Sequence, residues 1–193
     1  MNNNILFFIA GSQGEIDWVL PLIKDLNKKV DNIYFYVDSY STETIINKPF
    51  IFNKIKNKFN LTVYNRSNLI RFSFLINIVS SLFVFFGFKN FINKVINKIL
   101  GIYINLYPKN FAKKIIHKTN PKILLKDLGN DSVLRKEISN IIVNRKGKII
   151  MFPHGTEIFV EEEFKRRDFI ADILLVSCKE TQNYYSKVSR TIP

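Results

Sequence analysis

The sequence predicts an α/β fold organised on a doubly wound parallel sheet, and three observations carry that expectation. Short apolar runs recur at residues 4–10, 33–37, 122–126, 147–152 and 171–176. They are near-continuous rather than alternating, as in strands buried on both faces. Amphipathic helical patterns separate them, and several runs end in turn or capping residues, which is the β-α-β rhythm of a parallel sheet. A chain of 193 residues that is 47% hydrophobic has material for one sizeable core, so global disorder is excluded.

The first run, 4–10, leads into Gly11-Ser12-Gln13-Gly14-Glu15. Gly11 and Gly14 permit a tight turn and close backbone approach, while Ser12 and Glu15 fit the S-x-x-E box that opens a helix. That helix is expected to run to about residue 29, with Ile16, Val19, Leu20, Ile23 and Leu26 on one face and a kink or late start at Pro21. Two readings of the loop stand: a phosphate or sugar cradle at a helix N-terminus, or an ordinary strand-to-helix turn with a good cap. A second strand at 33–37 ends at Asp38-Ser39. A helical pattern over 42–59, interrupted by Pro49, separates it from a short third strand at 61–64.

The middle of the chain departs from this rhythm. Residues 72–88 contain no charge and are bracketed by Arg71 and Lys89. The run has the minimum length of a transmembrane span, but Asn77, Ser80 and Ser81 make it less apolar than most. Strands on both sides belong to one expected sheet, which favours a buried or membrane-surface helix over a crossing. Over 90–118, Lys94, Lys98, Lys109, Lys113, Lys114 and Lys118 interleave with Phe91, Ile92, Val95, Ile96, Ile99 and Leu100. This predicts a basic amphipathic segment broken near Pro108, either attached to anionic lipid headgroups or packed on the core with a solvated lysine face. Residues 67–118 are therefore expected to form a helical excursion from a domain spanning 1–190.

From Pro121 the α/β rhythm resumes. A strand at 122–126 ends at Asp127, and Asp131 or Ser132 is placed to cap a helix running to about residue 144. The strand at 147–152 runs into Pro153-His154-Gly155-Thr156. In an open parallel sheet, ligands bind in the crevice at the carboxyl ends of the strands. His154 is the titratable side chain expected at such an end beside a glycine, which makes it the candidate general base, with Gly155 and Thr156 shaping the site. The alternative is that His154 only braces the turn. The acidic run 161–163 and basic run 165–167 predict a solvated helical face. After the strand at 171–176, Ser177 and Glu180 repeat the capping pattern, with Cys178 as a packing residue in the first turn.

The formal net charge of +13 favours an anionic partner, although the abundance of lysine, asparagine, isoleucine and phenylalanine also fits an A/T-rich genome. The single cysteine gives no internal disulfide, and the N-terminus carries no signal-peptide pattern, so a cytoplasmic location is expected. His117 and His154 are the only histidines, and neither belongs to a metal-ligand pattern.

Two stretches carry a resemblance to known families. Gly11 to Ile16, followed by Leu20-Pro21-Leu22-Ile23, resembles the first loop and helix of nucleotide-sugar enzymes with the GT-B fold, including the non-hydrolysing nucleotide-sugar 2-epimerases. Phe152-Pro153-His154-Gly155-Thr156 and Asp172 to Ser177 look like the CDP-glycerol glycerophosphotransferase and capsule-polysaccharide transferase group. In that group an H-G-T turn ends a strand of the N-terminal Rossmann-like domain. The resemblance implies a Rossmann-like, acceptor-side domain of a transferase. Such an enzyme would move a glycosyl or glycerophosphate group from a nucleotide-activated sugar or CDP-glycerol to an acceptor hydroxyl, free or on a lipid carrier, in surface-polysaccharide synthesis. It also implies that Gly11, Ser12, Gln13, Gly14, Glu15, Gly155, Thr156 and Ser177 contact substrate and that no cofactor or metal is required.

Departures from the pattern shape the remaining expectations. Gln13-Gly14 stands where the epimerases carry Arg-Pro, which weighs against epimerase chemistry. A GT-B enzyme has two Rossmann-like domains, so residues 191–193 are expected to begin, or a partner subunit to supply, a donor-binding domain, without which transfer should not occur. Peripheral attachment to the inner face of the cell membrane is expected from residues 72–118. The rival readings are a nucleotide-sugar 2-epimerase and a non-catalytic module binding anionic membranes or nucleic acid. The last ranks lowest because no nucleic-acid-binding module is recognisable.

Overall fold

The computed structural model describes residues 3–9, 13–38, 58–59, 61–66, 89–127, 132–152 and 171–175. Six parallel strands form one sheet: β1 (Ile5–Ile9), β2 (Ile33–Val37), β3 (Thr62–Asn65), β4 (Ile123–Asp127), β5 (Lys148–Phe152) and β6 (Ile173–Leu174). Their order is β3-β2-β1-β4-β5-β6. The chain builds outward from β1 in one direction and then from β4 in the other. This is the doubly wound, Rossmann-like order, whose switch point lies between β1 and β4.

Burial follows from that topology. All five residues of β1 are buried, because a central parallel strand is covered on both faces. Odd-numbered β1 residues Ile5, Phe7 and Ile9 join Phe35 and Val37 in a cluster with Val19 and Ile23 of helix α1 (Gln13–Leu26). Phe7 stacks on Phe35 with ring centroids 4.8 Å apart. Leu6 and Phe8 face the other way, onto helices α2 (Lys89–Leu106), α3 (Pro108–Thr119) and α4 (Val133–Asn144).

Helix α1 starts at Gln13, the residue after the Ser12 cap position, and carries Pro21 in its interior. Leu20 and Leu26 are partly buried beside Val19 and Ile23, as the periodicity requires. The basic stretch is two helices, with Pro108 at the start of α3, where its missing N–H costs nothing. Phe111, Ala112, Ile115 and Ile116 of α3 are buried against the sheet while Lys113, Lys114 and Lys118 are exposed. This half of the expected excursion therefore covers one face of the sheet. Among the described residues, no helix is long and apolar enough to cross a membrane. Residues 72–88 lie outside the described residues, as do nearly all of 42–59.

β4 closes on Asp127, the residue expected at the strand's end. Another end differs from expectation. The run expected as a buried strand at 171–176 contributes only two ladder residues, and Ile173 is 48% exposed. It pairs with β5, and among the described residues no strand lies along its other edge.

Candidate functional site at the carboxyl edge of the sheet

Parallel strands place all their carboxyl ends along one edge. On that edge, β1 delivers the loop that precedes α1, and β5 delivers the chain toward His154. Because β4 intervenes, these two strand ends are two spacings apart, about 10 Å. The switch point is flanked instead by β1 and β4, and it is β4 that brings described polar chemistry to the edge.

Asp127, the last residue of β4, is buried, and its carboxylate is bonded by the guanidinium of Arg135 from the first turn of α4. The same guanidinium donates to the Asp127 carbonyl at 3.3 Å and lies over the Phe8 ring at 5.2 Å. One residue earlier, buried Lys126 donates to Ser139 Oγ of α4 at 3.3 Å. Ser132 caps α4 by accepting the Arg135 amide at 3.2 Å, which fixes the helix start beside the strand end.

A second ionic group sits across the edge. Asp38, just past β2, accepts from Arg66 Nε at 2.8 Å and from the Tyr36 hydroxyl at 3.3 Å. Burial first, and then the Asp38 carboxylate, push the Tyr36 phenol well above the usual tyrosine range. Burial works against the Arg66 charge, but the hydrogen bond and charge of Asp38 outweigh it and hold the guanidinium more firmly protonated than usual. A carboxylate at the end of the second strand can hold a ribose hydroxyl in dinucleotide-binding sheets. Here a ribose would have to compete with Arg66 and Tyr36.

Of the residues expected to form the site, Gln13, Gly14 and Glu15 occupy the first turn of α1, at the carboxyl edge. Gly11, Ser12, His154, Gly155, Thr156 and Ser177 lie outside the described residues. Lys126, Arg135 and Ser139 were missed by the sequence reading, although a signal existed. Lys126 shares parity with buried Leu124, and Arg135, Ser139 and Ile142 share a helical stripe with Ile138. No protein-family model and no curated protein matches the chain.

Proposed function

We propose that this chain provides the acceptor-side domain of a transferase that moves a glycosyl or glycerophosphate group from a nucleotide-activated donor to an acceptor hydroxyl. The observation that carries the reading is the doubly wound order with its switch point beside β1, which gives one edge to the end of β1, the start of α1 and the end of β5. The buried polar cluster of Lys126, Asp127 and Arg135 at the same edge supports it, since that edge is where a parallel sheet binds its ligands. His154 takes the hydroxyl proton as general base.

The test is acceptor-dependent release of CMP or UDP from CDP-glycerol or a UDP-sugar, assayed with the chain and a donor-binding domain together. A general base contributes about 10²–10⁴-fold, so His154→Ala should lower kcat by that factor with donor affinity and Tm unchanged. Near-normal kcat in the variant returns His154 to a bracing role, and no transfer from either donor class overturns the reading.

Peripheral attachment to an anionic membrane belongs to the same proposal. Val95, Ile99, Ile102 and Leu106 recur at helical spacing on α2 and are all exposed, Leu106 by 67%, beside exposed Lys94 and Lys98. An apolar stripe flanked by lysines suits a headgroup interface, where each lysine near the surface contributes about 1 kcal/mol. Flotation with anionic but not neutral liposomes, lost at high salt, is expected. Indifference to lipid charge counts against it.

A further inference from the structure

We propose that the groove between α3 and α4 is a second binding site, for a phosphate-bearing anion, away from the crevice. It has a volume of about 550 Å³ and is lined by Lys113, Lys114, His117, Lys118, Arg145 and Ile141. That volume takes a phosphate together with a small organic group such as glycerol or a sugar. The four Lys and Arg side chains supply the charge, and Ile141 offers an apolar contact.

The groove belongs to the other end of the sheet. The carbonyl of Thr119, just after His117 and Lys118, accepts from Asn4 at the amino end of β1. Arg145 caps the end of α4, three residues before β5 begins. A ligand here stands apart from Asp127 and from the loops of the crevice, so the site does not depend on the proposed transfer chemistry.

The cations are not accounted for by helix capping alone. Favourable interaction with a helix C-terminus falls off within the last turn. This covers His117 and Lys118 of α3, whereas Lys113 and Lys114 lie further back along the helix. The three lysines also come from a strongly basic stretch: between Glu43 and Asp127 the chain has 15 Lys and Arg and no Asp or Glu. The protein's net charge of +13 is thus concentrated in one continuous block. Two of the ammonium groups are steadied by aromatic rings, Lys114 over Phe111 at 5.4 Å and Lys118 over Tyr64 at 5.4 Å. Such steadying lowers the ordering cost of closing several cations on one anion.

The phosphate could come from a soluble metabolite or from a lipid headgroup, and two probes separate these sources. The full chain is titrated with inorganic pyrophosphate at physiological ionic strength, and separately with vesicles of phosphatidylglycerol and phosphatidylcholine in equal parts. Lys113→Gln with Arg145→Gln removes two exposed groove cations, and Lys24→Gln with Lys28→Gln removes the same charge from exposed positions on and just after α1. Loss of a charge-assisted hydrogen bond predicts about tenfold or more weaker binding in the groove variant, with the α1 variant much less affected and both Tm values unchanged. Weakened vesicle binding identifies a headgroup, and weakened pyrophosphate binding with vesicle binding intact identifies a soluble ligand. Saturable binding to neither probe, or equal loss in the α1 variant, overturns the site.

Discussion

The two edges of the sheet are held together by different chemistry. At the amino edge, neutral amides do most of the work: Asn4 Nδ2 donates to the Thr119 carbonyl at 2.8 Å, and Asn4 Oδ1 accepts from Asn32 at 2.9 Å. The Asn4 carbonyl also accepts from the Lys122 amide at 2.9 Å, so one residue ties α3, β1 and β4. The ion pair at this edge, Lys148 with Asp172 at 2.9 Å, is partly exposed. At the carboxyl edge, by contrast, Asp127, Arg135 and Lys126 are charged and nearly fully buried. Neutral hydrogen bonds stabilise without a large desolvation cost, whereas buried charges often do no better than apolar side chains of the same size. The expensive chemistry lies at the edge where a parallel sheet forms its crevice, and the inexpensive chemistry lies at the opposite edge.

The strongest way to break this comparison is Asp127→Ala, which leaves Arg135 buried without its carboxylate. Unfolding in denaturant should show a loss of about 3–5 kcal/mol. The informative companion is Asp127→Leu with Arg135→Met. If the pair serves the crevice rather than the fold, the double variant should keep near-normal stability and lose transfer activity. Stability lost as severely as in the single variant would mean the pair holds the fold together.

Asn4→Ala tests the other edge. It removes the donor to a buried carbonyl, so a loss of about 1–3 kcal/mol is expected, with no change in ligand binding at the crevice. A loss as large as that of Asp127→Ala would erase the difference between the edges.

The smallest effect concerns Asp172. Burial pushes its carboxyl up, but the Ile149 amide at 2.8 Å and the Lys148 ammonium outweigh burial and hold it below the usual carboxylate range. The folded protein therefore binds this proton less tightly than the unfolded chain does. The contribution is present above about pH 4 and is lost as the pH falls below that value. As a partly exposed pair it should amount to roughly 1 kcal/mol or less. Asp172→Asn should flatten that part of the stability profile in acid, and a profile identical to the unaltered protein would remove Asp172 from it.

Sequence alone located the segments of the sheet and, for its central strands, the faces they bury. The five apolar residues of β1, the Ser132 cap and the proline at the start of α3 are local signals with local physical causes. It also put the start of α1 just past the end of β1, since a strand end is read from where an apolar run stops. Tertiary structure decided what stands beside what. Strand order put β4 between β1 and β5, which no periodicity encodes. Folding also turned Arg135 from a residue that looks solvated on a helix into the buried partner of Asp127. Likewise, lysines spread along α3 and Arg145 of α4 become one groove only when the two helices lie side by side. The reason is common to all three: helical and strand periods are set by neighbours a few residues apart, whereas charge pairing depends on distance in space between segments the sequence keeps apart.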